Sequence, residues 1–152
     1  MKQHDFQLAY LVLLTLKEIK PLSRWERPLE REYVDIIEEI GLFHRLVSRK
    51  LRAGDTVCEL VFSLSEELLL RYSEEFEDTQ IDKSAVTRRK EGSFFGYPEC
   101  CIEHFIEKPY DRNHLSPEDQ EILFHWACPR CEITAKLLPR YREIHRWLID
   151  LQ

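Results

Sequence analysis

Four cysteines in the last third of this chain limit its folds more than any other part of the sequence. Cys100 and Cys101 are adjacent, Cys128 and Cys131 are separated by two residues, and Cys58 stands alone. Two intervening residues allow the sulfurs of Cys128 and Cys131 to point toward one centre, at a Zn–S distance of about 2.3 Å. In a reducing compartment such clustering favours a metal site or a reactive thiol over a disulfide framework.

A histidine adds to the candidate ligands. His104 lies four residues after Cys100 and three after Cys101, so on a helix one of these thiols shares a face with the imidazole. Adjacent helical residues diverge by about 100°, so both neighbouring thiols are expected to reach one metal only where the helix start is distorted. The predicted ligands are Cys128 and Cys131 plus two of the group Cys100, Cys101 and His104, with His125 in reserve.

The cofactor that suits these ligands is a metal. Four thiolates, or three thiolates and one imidazole, suit tetrahedral zinc, which is the first prediction. The same four cysteines also suit an iron–sulfur cluster. Two interpretations without a metal stay open. The thiols could pack as small apolar side chains, or the positive end of a helix could activate Cys100 or Cys101 in a thiol-dependent enzyme.

Charge and hydropathy argue against several classes of protein. The 22 basic and 28 acidic residues give a net charge of −6, which argues against non-specific coating of nucleic acid. A specific RNA-binding or complex-forming role would use Arg88, Arg89, Lys90 and the last helix. The longest apolar run, residues 8–16, is well short of the roughly 20 residues that span a bilayer, and Asp5 before it is atypical of a signal peptide. We therefore predict a cytoplasmic protein without a membrane span.

Residues 1–63 predict a pair of helices and a β-hairpin. Apolar residues recur at helical spacing over residues 6–20, and Pro21 ends the pattern. A second helix is expected from Pro28 to Gly41. Residues 42–63 place β-branched and aromatic side chains around a Gly54-Asp55 turn, which predicts a hairpin. Because an isolated hairpin is marginal in water, it must pack on the helices or pair with a second chain, which would make a homodimer.

Residues 64–152 predict a helical half. Ser63 or Ser65 is expected to cap a helix that continues to about Phe76. Asp82 is expected to cap a short basic helix. Residues 92–98 predict an aromatic turn, after which Pro98 opens the helix that carries the adjacent cysteines.

Two further helices complete the predicted chain. Ser116 is expected to cap a helix that runs toward Trp126. The last helix contains Pro139 as a kink. Its apolar residues, spaced by three or four, are Ile133, Leu137, Tyr141, Ile144, Leu148 and Leu151. The whole pattern predicts one mainly helical α+β domain over residues 1–152, with the cysteine site between helices of its C-terminal half.

One segment resembles a known family. The segment is Phe95-Gly96-Tyr97-Pro98-Glu99-Cys100-Cys101-Ile102-Glu103-His104-Phe105. It resembles the Gly-Tyr-Pro-x-Cys-Cys motif, followed by an apolar position and a phenylalanine, of a mostly archaeal family known as domain of unknown function 483. The resemblance is expected to cover most of residues 56–147 and implies no activity or substrate. An archaeal source is compatible with a hot cytosol, in which disulfides are an alternative explanation of the paired cysteines.

Overall fold

The computed structural model describes residues 3–152 and shows a mainly helical α+β fold; residues 1 and 2 of the predicted domain lie outside this range. The helices are α1 (Gln3–Leu16), α2 (Arg31–Ile40), α3 (Glu66–Phe76), α4 (Ala85–Phe95), α5 (Glu99–Glu107), α6 (Pro117–Glu121) and α7 (Glu132–Asp150). The strands are β1 (Ser23–Trp25), β2 (Phe43–Lys50), β3 (Thr56–Ser63) and β4 (Thr79–Gln80). Helices hold 52% of the chain, so the predicted fold class is confirmed.

The described residues form two compact units. Residues 3–10 and Ser84–Gln152 form the cysteine unit, named for the four clustered cysteines that it contains. Leu11–Lys83 form the sheet unit, which contains all four strands. The prediction of a single domain over residues 1–152 stays a prediction.

The sheet has the strand order β1-β3-β2-β4. Strands β2 and β3 form the predicted antiparallel hairpin, with Phe43 opposite Ser63 and Lys50 opposite Thr56. Strand β1 pairs with β3 antiparallel and β4 pairs with β2 parallel, so the chain itself covers part of each outer edge of the hairpin. These two strands were not predicted, because three or two residues are too few to show a period of two.

From Glu59 to Ser63, strand β3 is buried on both faces of the sheet. Successive side chains of a strand point to opposite faces, so Glu59 and Leu60 lie on different sides. Trp25 pairs with Leu60 and makes an edge-on contact with Tyr33 of α2, at 6.2 Å between ring centroids. On the other face, the hydroxyl of Tyr72 in α3 donates a hydrogen bond of 2.9 Å to Glu59. Helices α2 and α3 therefore cover opposite faces.

The first helix ends earlier than predicted. It stops at Leu16 rather than Lys20, because Glu18 adopts the left-handed conformation with φ of 55°. The N–H groups of Ile19 and Lys20 then donate to the carbonyl of Leu14 at 2.9 and 3.1 Å. Such a turn satisfies carbonyl groups that a helix end leaves without partners.

The second helix begins later than predicted but ends as expected. It begins at Arg31 rather than Pro28, with extended Glu30 in the capping position. Proline is compatible with a first helical turn but does not require one. Gly41 ends the helix with a φ of 94°, a conformation that glycine adopts without a steric penalty.

Serine residues cap the next two helices. The hydroxyl of Ser65 accepts a hydrogen bond from the N–H of Leu68 at 3.2 Å, as one of the two predicted caps of α3. The hydroxyl of Ser84 accepts from the N–H of Thr87 at 3.2 Å, so the prediction of Asp82 as the cap of α4 was wrong. Ser84 is the cap because it directly precedes the first helical residue and its hydroxyl reaches the third N–H of the helix.

Helix α4 continues through residues 92–95, where the sequence predicted a turn. The chain turns at Gly96, whose φ is 75°. Gly92 lies within the helix and meets Ile102 of α5: a Cβ at this position would lie 2.6 Å from the Cδ1 atom of Ile102. This glycine therefore permits the close approach of two helices.

We expect Gly92→Val to lower the free energy of unfolding by about 2 kcal/mol, since overpacking in a filled core costs about 1–3 kcal/mol. The better helix propensity of valine recovers only a few tenths of a kcal/mol. Denaturant unfolding followed by circular dichroism measures the change. The adjacent exposed Ser93→Ala is the matched control, with an expected change below about 0.5 kcal/mol. Unchanged stability of Gly92→Val would contradict the close approach.

Helix α6 is shorter than predicted. It ends at Glu121 instead of continuing toward Trp126. The side chain of Gln120 holds the following segment in a non-helical path, because it donates to the carbonyl of His125 at 2.8 Å and accepts from the N–H of Ala127 at 3.2 Å. These bonds replace the helical ones and turn the chain toward Cys128.

Helix α7 contains Pro139 as predicted but buries a partly different stripe. Its buried residues are Thr134, Leu138, Tyr141 and Leu148. Ile133 and Leu151, which belong to the predicted series of apolar residues spaced by three or four, are 52% and 60% exposed. The inward position of a polar threonine explains the error, because a pattern of apolar residues does not include it.

Candidate metal centre

The structure brings the four clustered cysteines together. Cys100 and Cys101 lie in the first turn of α5, Cys128 lies in the turn before α7, and Cys131 caps α7. Their four Sγ atoms all lie within 4.8 Å of one another. This arrangement, which we call the cysteine cluster, is compatible with a bound metal ion.

The distances between the sulfurs have the scale of a tetrahedral site. The Sγ atom of Cys131 lies 3.6 Å from that of Cys100 and 3.4 Å from that of Cys101. Four sulfurs at about 2.3 Å from a central ion lie about 3.8 Å from one another. A disulfide requires about 2.05 Å between its sulfurs, and all five cysteines are free in the structure.

Both members of the adjacent pair join the cluster without a distorted helix start. In the first turn of α5, the carbonyl of Pro98 accepts from the N–H groups of both Cys101 and Ile102 at 3.0 Å, a shared bond that is common at helix ends. The sulfur of Cys131 lies almost equally far from those of Cys100 and Cys101. The sulfur of Cys131 therefore lies between the sulfurs of the two neighbouring cysteines. Both can approach it without a distortion of the helix start.

Backbone N–H groups support the sulfurs. The N–H of Cys128 donates to the Sγ of Cys101, and the N–H of Thr134 donates to the Sγ of Cys131, both at 3.3 Å. Between them, Arg130 has a left-handed φ of 58°, and the N–H of Cys131 donates to the carbonyl of Cys128 at 3.3 Å. Hydrogen bonds to sulfur favour the thiolate, which is the form that binds metals.

The two candidate histidines have other partners. His104 shares a hydrogen bond of 2.8 Å with the carboxylate of Asp111, and this bond holds the pKa of Asp111 below its usual value. The Nε2 atom of His125 lies 2.9 Å from the hydroxyl of Thr134, which lies 3.7 Å from the Sγ of Cys101. The structure thus places His104 in a pair with Asp111 and His125 next to the cluster by way of Thr134.

Thr134 is the residue of this site that was not predicted. It is fully buried, and its two polar groups contact Cys101, Cys131 and His125. The sequence contained a signal for it. A capping residue accepts a hydrogen bond from the N–H of the third helical residue, and Thr134 lies three residues after the cap Cys131. Thr134 joins the helix start to the cluster.

The thiols differ in acidity because their environments differ. Burial opposes ionisation of Cys131, but hydrogen bonds from Thr134 and from neighbouring thiols lower its pKa to about 7. Burial and a hydrogen bond with Cys100 raise the pKa of Cys128 to about 11. Burial also raises the pKa of Cys101. Adjacent thiolates repel one another, and a bound cation would remove that repulsion.

The predicted basic segment is engaged in the cysteine unit. Arg89 forms two hydrogen bonds with the carboxylate of Glu103, at 2.6 and 3.0 Å. The guanidinium of Arg88 lies over the ring of Phe105, 4.9 Å from its centre. The segment is therefore not a row of unpaired charges, and a role in RNA binding stays a prediction.

Comparison with protein-family models, curated proteins and solved structures gives no match for this chain. Membership of the family suggested by residues 95–105 therefore stays a prediction. None of the described helices is both long enough and apolar enough to cross a membrane.

Proposed function

We propose that this chain is a zinc-binding protein in which Cys100, Cys101, Cys128 and Cys131 hold one structural Zn²⁺ ion. The mutual approach of the four Sγ atoms within 4.8 Å carries this proposal. Structural zinc sites are tetrahedral and use four protein ligands, whereas catalytic sites keep one position for water or substrate. Four cysteines would fill all four positions, which supports a structural role.

The size of the cysteine cluster favours a single ion over an iron–sulfur cluster. The four cysteines of an iron–sulfur cluster bind two or four different iron atoms, so some pairs of their sulfurs lie farther apart than the ligands of one ion. A limit of 4.8 Å for every pair of sulfurs suits one tetrahedral ion. Zinc accepts four thiolates with no redox change.

The ion would connect the starts of two helices. Cys100 and Cys101 lie in the first turn of α5, and Cys131 is the cap of α7. The positive ends of both helices face the thiolates and add to their stability. A cytoplasmic location is part of the proposal, because a reducing compartment keeps the thiols available for metal.

Purified protein is expected to contain about one zinc per chain, since the four cysteines complete one tetrahedral site. Elemental analysis and thiol titration measure this, and an absorbance scan tests for iron–sulfur colour. Cys128→Ala is expected to lose the zinc. Cys58→Ala is the matched control, because Cys58 lies on strand β3 outside the cysteine cluster, and it is expected to keep the metal.

Three results would contradict the proposal. Equal zinc content in Cys128→Ala and Cys58→Ala would place the metal elsewhere. A visible iron–sulfur spectrum would replace zinc with a cluster. Absence of metal together with two disulfides would identify the cysteines as covalent cross-links.

A further inference from the structure

The cysteine unit contains a cavity that the proposed zinc site does not use. Its volume is about 770 Å³, within the range of about 300–1,000 Å³ typical of small-molecule sites. Four aromatic residues, Phe105, Tyr110, Phe124 and Trp126, line it, and three of them, Phe105, Tyr110 and Trp126, contact one another. The cavity lies among residues that connect α5 to α7.

The three aromatic rings form a connected wall. Tyr110 lies between the other two, with ring centroids 5.0 Å from Phe105 and 5.4 Å from Trp126 and with planes at 82° and 77°. The indole N–H of Trp126 donates to the carbonyl of Asp111 at 2.7 Å, which fixes that ring. Tyr110 is nevertheless 70% exposed, so its ring is accessible to a planar ligand.

The backbone of Tyr110 adds a second observation. Its φ of 57° is in the left-handed region, which is unusual for a bulky residue. Such a conformation is found at ligand-binding sites among other places, and Glu18, Asp78 and Arg130 of this chain share it. The fold thus holds an exposed aromatic ring in place.

Positive charge lies beside the aromatic wall. Arg112 is exposed and lines the cavity. The nearest carboxylate in sequence, Asp111, is bonded by His104, by Lys108 and by the backbone N–H of Arg112. A second guanidinium, that of Arg88, lies over Phe105. The lining thus offers one positive charge, Arg112, and one negative charge, Glu121, which suits an aromatic ligand that carries both an anionic group and hydroxyl groups.

We propose that this cavity binds a nucleotide unit, with the base stacked on Tyr110 and the phosphate paired with Arg112. An aromatic side chain offers a favourable stacking surface for a nucleic-acid base, and guanidinium groups suit the geometry of phosphate. Glu121 also lines the cavity and supplies an acceptor for ribose hydroxyls. The nucleotide is either a free mononucleotide or part of a single-stranded RNA, because both present the same chemistry.

Equilibrium dialysis with AMP, adenosine and ribose 5-phosphate tests the proposal. Saturable binding of AMP is expected, with about tenfold weaker binding of adenosine, which lacks the charge-assisted contact. Ribose 5-phosphate lacks the base and is expected to bind about tenfold more weakly than AMP. Tryptophan fluorescence in a Trp147→Phe background locates the ligand near Trp126, because the remaining Trp25 is buried in the sheet unit.

Three variants assign the contacts. Arg112→Gln is expected to weaken AMP about tenfold and to leave adenosine unchanged. Tyr110→Leu keeps an apolar side chain but removes the aromatic face, so it is expected to weaken both ligands about tenfold. Arg52→Gln is the matched control, since it removes one positive charge from the hairpin turn of the sheet unit, and it is expected to bind AMP normally. Circular dichroism and zinc content verify that each variant is folded.

The outcomes that overturn the proposal are distinct from a failure of the zinc site. Lack of saturable AMP and RNA binding by the zinc-loaded chain, or equal AMP binding in Arg112→Gln, would reject the nucleotide site and leave the metal proposal standing. A short single-stranded RNA separates the two sources. Tighter binding of RNA than of AMP, lost in Arg112→Gln, would identify an RNA strand, whereas RNA binding unaffected by that variant would overturn the proposal.

Discussion

Cys128→Ala is expected to unfold the cysteine unit under conditions in which the unsubstituted protein is folded. Structural zinc contributes an apparent binding free energy of about 10–16 kcal/mol, which is comparable to the whole stability of a typical domain, about 5–15 kcal/mol. Loss of one of four ligands therefore removes a large part of the free energy that holds this unit together. Thermal unfolding followed by far-UV circular dichroism measures the loss.

The position of the substitution decides what the experiment reports. Cys131 is less suitable, because its sulfur also caps α7 and loss of a cap costs about 1 kcal/mol even without a metal. Cys128 has no such capping role: its N–H, which donates to the sulfur of Cys101, remains in alanine. The effect of Cys128→Ala is therefore assigned to its thiol.

Two controls separate a metal ligand from a packed thiol. Cys58→Ala changes an exposed cysteine outside the cluster and is expected to keep the melting temperature of the unsubstituted chain. A zinc chelator added to the unsubstituted chain is expected to reproduce the Cys128→Ala result. Equal melting temperatures of the two cysteine variants would show that the cluster is not a structural metal site.

Sequence spacing predicted that the two pairs of cysteines contribute to one site, but it left the choice among Cys100, Cys101 and His104 open. The two-residue gap between Cys128 and Cys131 predicted a shared centre, and the structure confirms that the four cysteines meet. The place of His104 could not be predicted, because its partner Asp111 lies in a loop that carries no periodic pattern. Which of the side chains of α5 can bind the metal depends on where Cys128 and Cys131 lie. Their position is set by the tertiary structure and not by local sequence.

The fold was predictable where a pattern is long. The hairpin over residues 42–63 and the serine cap of α3 were confirmed. Errors occurred where a single contact outweighs local propensity, as at Gly92, which meets Ile102 instead of forming a turn. The ring wall around Tyr110 was not predicted either, because a left-handed backbone at a tyrosine leaves no signal in the sequence.

The second large effect is expected in the sheet unit, where Glu59→Leu should lower the free energy of unfolding by about 3–5 kcal/mol. Glu59 is 2% exposed and accepts a hydrogen bond from Tyr72 at 2.9 Å. Its carboxylate also lies 3.4 Å from a guanidinium nitrogen of Arg49 and 3.3 Å from one of Arg24. Without this carboxylate, the guanidinium groups of Arg24 and Arg49 lose a negatively charged partner. Arg49 is only 1% exposed, so water cannot replace that partner.

Denaturant unfolding of a double variant tests this cause. Replacing a buried ion pair with apolar groups of similar volume is often neutral or stabilising, so Glu59→Leu combined with Arg49→Met is expected to be more stable than Glu59→Leu alone. The exposed Glu67→Gln is the matched control, with an expected change below about 0.5 kcal/mol. The single variant Arg49→Met completes the comparison. If the double variant lost as much stability as Glu59→Leu and Arg49→Met combined, buried charge would not be the cause. The contribution of Glu59 would then lie in its packing and in its hydrogen bond with Tyr72.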